Sequence, residues 1–171
     1  RRNGQQYNFI TREDFEARIG RDEFLEHAEV FGNYYGTHRE ILEQGVNQGK
    51  DVVLDIDVQG ARQLKEKIPG AVSIFILAPS RDELANRLRA RSEDSAEVIQ
   101  RRLAGAAREI RDYARYDYVL INDEVDRASG RLQAIVQAER SGEKVPEVEA
   151  LRRTNSAITA RVERILATFA V

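Results

Sequence analysis

The spacing of apolar positions changes repeatedly along this chain, and each change marks an element. Residues 6–10 read as a short strand. Thr11, with Asp14 three residues on, resembles a capping box and predicts a helix through about residue 19. Residues 23–31 and 33–36 read as a strand pair joined at a Gly-Asn turn, and a helix over about 38–48 follows. The run Asp51-Val52-Val53-Leu54 is apolar and bounded by Gly49-Lys50, a pattern typical of a buried parallel strand. Helix 58–67, strand 71–77, helices 81–91 and 95–113, strand 116–121 and helix 124–140 complete the series. Strands alternating with helices at this spacing predict βαβ crossovers. The expected fold is α/β, a mostly parallel sheet with helices on both faces.

The tail departs from that rhythm. Residues 141–146 read as a linker. From Val148 onward Leu151, Ile158, Val162, Ile165, Leu166 and Phe169 recur at roughly helical spacing. An amphipathic helix that docks on the domain or on a second subunit is expected there.

Composition narrows the possibilities. Lys and Arg number 27 against 29 Asp and Glu, a net charge of -2, so no global basic field points to nucleic acid. With no cysteine there is no disulfide framework and no thiolate zinc site. No apolar run approaches the roughly 20 residues of a membrane span, and Arg1-Arg2-Asn3 opens no signal peptide. A cytoplasmic protein is expected. The 171 residues include no methionine, even at position 1, so the expectation is that residue 1 is not the natural start.

Two segments carry candidate chemistry. Gly32-Asn33-Tyr34-Tyr35-Gly36-Thr37 sets hydroxyl groups between glycines, where a ligand can approach the backbone closely. Val53-Leu54-Asp55-Ile56-Asp57-Val58-Gln59-Gly60 is an apolar run ending in two carboxylates and a helix start. Tyrosine hydroxyls suit a phosphate. Carboxylates suit a base edge that donates hydrogen bonds, or a magnesium ion. Together they read as a nucleoside monophosphate site.

With Gly4-Gln5-Gln6-Tyr7-Asn8-Phe9, Glu23-Phe24-Leu25-Glu26-His27-Ala28 and Ile121-Asn122-Asp123, these segments form an ordered set that resembles the guanylate kinases. Those enzymes move the γ-phosphoryl of ATP onto GMP. The resemblance runs from Gly4 to about Arg140. It implies a P-loop kinase-like sheet flanked by helices, with a small GMP-binding β subdomain (about 4–37) and a helical lid (about 87–102). Residues 1–140 would form the kinase-like domain, and 141–171 a linker and C-terminal helix. ATP and GMP are the implied partners, with Mg2+ accompanying ATP. A monomer or homodimer without nucleic acid or membrane is expected.

The resemblance also assigns residues. Guanine offers N1–H and an exocyclic amine side by side, whereas adenine offers an acceptor at N1. A carboxylate therefore selects guanine. Glu26 matches the family's acid for that role, Asp57 a second acid near the base, and Thr37 adds a hydroxyl. Tyr7 and Tyr35 match tyrosines that donate to the GMP phosphate, while Tyr34 is expected to pack. Asp55 and Asp57, two apart on a strand, would face the same side, with Asp55 toward magnesium or phosphate through water and Asp57 toward guanine. Phosphoryl transfer needs cations around the moving group. Arg87, Arg91 and Arg102 match the family's lid arginines over the ATP phosphates, and Asn122 a position near adenine. Arg89 and Arg101 read as solvated surface charge. His27 is expected half-buried beside Glu26, and His38 at a helix start.

There are departures. Ala90 and Ser92 stand where the family commonly has glycine. The phosphate loop G-x-x-x-x-G-K-[ST] is absent, since Gly45-Val46-Asn47-Gln48-Gly49-Lys50-Asp51 has its glycines one residue too close, Asp51 in place of the hydroxyl, and precedes a strand. The expectation is an N-terminally incomplete guanylate kinase, inactive by itself without that loop. The alternative is a guanylate kinase-like module that gave up catalysis to bind a phosphorylated peptide. Retention of Glu26, Arg87, Arg91 and Arg102 weighs against it.

Overall fold

Thr11 opens helix α1 (Arg12–Gly20) in the way the capping pattern predicts: its Oγ1 accepts from the Asp14 backbone N–H at 3.1 Å. The computed structural model describes residues 7–30, 32–91 and 95–169. The chain divides into two units, Arg1–Ala71 and Val72–Val171. In the first, α1 buries Phe15 against Phe24, with ring centroids 4.4 Å apart, and stacks it on Tyr34 at 5.1 Å. Thr11→Ala removes the cap acceptor. It is expected to cost about 1 kcal/mol of stability, read as a shift of the denaturant midpoint at constant slope.

Strands β1 (Phe24–Val30) and β2 (Asn33–His38) form an antiparallel hairpin, and Gly32 in the turn has φ +80°, a conformation glycine adopts freely. The register pairs Glu26 with Thr37 and Ala28 with Tyr35, which puts these four on one face. Tyr34 lies on the other face with Phe15, as expected of a packing tyrosine. Helices α2 (Glu40–Asn47) and α3 (Val58–Lys67) follow, and α3 packs on β1.

Three expectations for this unit change. Tyr7 makes only an isolated bridge and residues 8–10 are irregular, so the first strand does not form; Gln6 lies outside the described residues. His38 ends β2, and the helix begins two residues later. Residues 51–57 form no strand, and Val53 is 82% exposed. A strand needs a neighbour for its N–H and C=O groups, and no described strand pairs with this run. Asp55 and Asp57 therefore do not share a face of a sheet.

In the second unit β3 (Ile74–Leu77) and β4 (Tyr118–Ile121) are parallel, Ile74 opposite Tyr118 and Leu77 opposite Ile121. Asp117 fixes the entry to β4 by accepting from the Ser73 backbone N–H and hydroxyl, both at 2.9 Å. Between the strands run α4 (Arg81–Arg91), α5 (Ala96–Ile110) and a 3-10 turn (Arg111–Arg115), so the long helix expected over 95–113 tightens at its end. After β4, α6 (Val125–Ser141) stops at Gly142, whose φ of +72° is a left-handed helix cap.

The tail is two helices, α7 (Pro146–Glu149) and α8 (Ser156–Ala167), instead of one. Residues 151–153 interrupt them by running along β4: Val119 N–H donates to Leu151 O at 2.8 Å, and Arg153 N–H to Asp117 O at 3.0 Å. Val148 joins Tyr118, Leu120 and Ile135 in the core, Val162 is fully buried, and Phe169 packs against Ala85, Ile99 and Leu103. The tail thus docks on its own unit. The buried Tyr118 hydroxyl donates to Glu139 at 2.5 Å, and burial pushes the phenol up to about 12. Among the described residues no helix is long and apolar enough to cross a membrane.

Candidate nucleotide site

The shared face of the hairpin carries a buried carboxylate. Glu26 is 5% exposed, and the Thr37 hydroxyl donates to its Oε1 at 2.5 Å. The cross-strand register brings the pair together, since directly opposed residues sit close enough for their side chains to bond. The other carboxylate oxygen faces the first turn of α3. A Cβ at Gly60 would overlap Glu26 Oε2, would lie 3.0 Å from its Cδ and would come to 3.3 Å from Asp57 Oδ1. Glycine is the residue that lets the helix approach the acid this closely. Asp57 is the N-cap of α3: its Oδ1 accepts from Gly60 N–H at 2.8 Å.

Burial is the main influence on Glu26 and raises its carboxyl above the usual range. The Thr37 bond opposes it, the negative charge of Asp57 adds to the rise, and His27 opposes. Buried acids are unusual without a counter-charge. This one is held by the Thr37 hydroxyl on one oxygen, with the other against Gly60.

Two residues along β2 from Thr37, Tyr35 meets Tyr7 edge-on, ring centroids 6.0 Å apart, and both remain over one-third exposed. The hairpin unit therefore brings together Glu26, Thr37 and Asp57, and pairs Tyr7 with Tyr35. Asp55 is exposed in the irregular 51–57 segment and is not brought into the group. His27 is half-buried, as expected. Tyr34 is engaged elsewhere, accepting from Arg12 at 3.1 Å. The Gly4-Gln5-Gln6 part of the first motif lies outside the described residues, as do Arg1, Arg2 and Ser92.

The second unit carries the remaining assigned residues. Arg87 on α4 is ion-paired with Glu83 at 2.6 Å. Arg91 is the exposed last residue of the same helix, one turn on, and Arg102 is half-buried on α5. Asn122 follows β4, its N–H donating to Leu77 O at 2.8 Å. Its buried Oδ1 has no hydrogen-bond partner among the described residues. The next residue, Asp123, pairs with Arg127 at 3.0 Å, Arg161 at 3.5 Å and Arg131 at 3.8 Å. Two residues here escape sequence reasoning. Gly60 leaves one signal, a glycine in a helix that alanine would favour. Gln63, which bonds to β1, leaves none.

A parallel strand pair set among helices, together with an antiparallel hairpin, is an α/β architecture of the P-loop kinase type. The chain belongs to the guanylate kinase family, whose model matches residues 1–139. It is 56% identical over 137 residues to a guanylate kinase of Salmonella paratyphi A, covering 80% of this chain and 66% of that protein. It is 55% identical to the guanylate kinase of Escherichia coli K12 with the same coverage, and 53% to that of Alkalilimnicola ehrlichii, covering 68% of the latter. The chain thus spans about two-thirds of the length of the curated relatives it matches. The crystal structure of a guanylate kinase from Anaplasma phagocytophilum superposes with a TM-score of 0.68 at 33% identity, covering 96% of this chain and 76% of that one.

Proposed function

We propose that this protein binds GMP on the hairpin face and serves an enzyme that transfers the γ-phosphoryl of ATP to GMP. A GMP phosphate oxygen forms the new bond to the γ-phosphorus, the bond to the bridging β–γ oxygen breaks, and ADP leaves with GDP formed. The observation that carries the reading is Glu26, a buried carboxylate held by Thr37. A buried acceptor of this kind gains from guanine's paired N–H donors and is left unsatisfied by adenine. Asp57 adds negative potential on the same side. Tyr7 and Tyr35 would donate to the phosphate. No general base is required, because the attacking phosphate is already an anion.

Arg87, Arg91 and Arg102 supply the cationic groups that a transferring phosphoryl requires. Asn122 Oδ1 suits an N–H donor such as the adenine amine. Among the described residues no three acidic, His or Cys side chains cluster as a metal cage. Magnesium carried on ATP phosphates needs only one or two protein carboxylates, and Asp55 would reach it through water. Bound there, magnesium would neutralise phosphate charge. A cytoplasmic enzyme acting as monomer or homodimer fits this chemistry.

Titration calorimetry with GMP and AMP tests the proposal. GMP is expected to bind at least about tenfold tighter, the worth of one good polar contact; equal affinities would overturn it. Binding of a phosphopeptide by a protein that ignores GMP would establish the scaffold alternative instead. Tyr35→Phe is expected to weaken GMP about tenfold by removing one hydroxyl donor to an anion, and to leave guanosine unchanged.

A further inference from the structure

Helix α3 is fastened to the edge of β1 by side chains. His27 N–H donates to Gln63 Oε1 at 3.0 Å, and Gln63 Nε2 donates to His27 O at 2.7 Å. One amide thus replaces the two backbone bonds that a third strand would make with His27. One turn further, Lys67 Nζ donates to Phe24 O at 2.8 Å. Gly60 lies one turn before Gln63 on the same stripe, pressed against the carboxylate of Glu26, which is the chain neighbour of His27.

These contacts form one ruler. The Gln63 amide sets where α3 stands along β1, and that sets how Gly60 and the cap residue Asp57 meet Glu26. Apolar packing could hold a helix on a strand but is non-directional, whereas two oriented bonds fix register. A helix turns about 100° per residue, so a slip of one residue would turn the Ala61 methyl toward the acid where Gly60 leaves room. We infer that Gln63 is a positioning residue for base choice: its bidentate clasp on the His27 backbone sets the notch in which Glu26 is presented to guanine. The inference rests on the reading of Glu26 as the guanine acceptor.

Calorimetry with GMP and AMP on the 171-residue protein and two variants tests it. Gln63→Leu removes both bonds at similar volume. Gln63→Glu keeps an acceptor for His27 N–H but sets a carboxylate oxygen against His27 O. Gln63→Leu is expected to weaken GMP about tenfold, the worth of two neutral hydrogen bonds, while AMP changes less than about twofold. Gln63→Glu is expected to show a smaller loss of the same kind, and it decides the matter if the leucine variant does not fold. A GMP-to-AMP preference unchanged in the folded variants overturns the assignment. So does equal weakening of both nucleotides, or loss of the folded state in both variants, since Gln63 would then be structural only. A wild-type protein with no preference overturns the GMP reading and takes this inference with it. A wild-type preference that survives in both variants removes Gln63 alone.

Discussion

Glu26→Gln is expected to weaken GMP binding by ~10–150-fold, abolish the preference over AMP and raise the melting temperature. The affinity loss follows from replacing a charged acceptor by an amide. Hydrogen bonds to charged groups contribute ~1.5–3 kcal/mol, and a buried guanine donor would face an amide that cannot accept as well. The gain in stability has a separate cause. Burial raises the Glu26 carboxyl above its unfolded value, so the native state binds a proton more readily than the unfolded chain does. Stability from this group is present below the ordinary carboxylate range and is lost as pH rises through the raised value. At neutral pH the wild-type protein therefore carries the cost of a buried charge that glutamine lacks. The melting difference should shrink as pH falls through that window.

GMP affinity of the wild type should show the same titration from the other side. It should fall as acid protonates Glu26, while Glu26→Gln responds little. Thr37, Asp57 and His27 are the groups that modulate this step. Calorimetry at several pH values together with thermal melts checks both arms. A variant that binds GMP normally, or that melts lower at neutral pH, would contradict the account.

Local patterns carried most of the fold. The Thr11 cap, the β1–β2 hairpin and helices α3, α4 and α6 depend on residues close in sequence, and they form where their pattern places them. Local misreadings only shift element ends, as at His38 and after Ile110; the larger failures are non-local. Residues 51–54 have a strand's composition, but a strand exists only with a partner, which composition does not show. The tail's apolar spacing could not reveal that residues 151–153 bond to β4 and split the helix in two. At the site, Glu26 and Thr37 are eleven residues apart, and only the hairpin register makes them a pair. The motif named both residues; the bond that orients the acid, and the glycine and glutamine behind it, are products of packing.

Gly60→Ala isolates that packing, and it is expected to cost GMP binding ~10–100-fold with little change in the melt. The new methyl would occupy the position of Glu26 Oε2. Helix α3 is held by its Asp57 cap, the Gln63 clasp and Lys67, so the backbone is the stiffer partner. The carboxylate is the end of a rotatable side chain and is the group that moves. Rotation breaks the Thr37 bond and turns the acceptor away from guanine. Stability receives opposing contributions: alanine favours a helix over glycine by up to about 1 kcal/mol, while the lost Thr37 bond costs about as much. Affinity has no such compensation. Because the methyl acts through Glu26, adding Gly60→Ala to Glu26→Gln should bring much less than the sum of the two losses. Strictly additive losses in that double-mutant cycle, or undiminished GMP affinity in Gly60→Ala itself, would mean that the notch does not orient the acid.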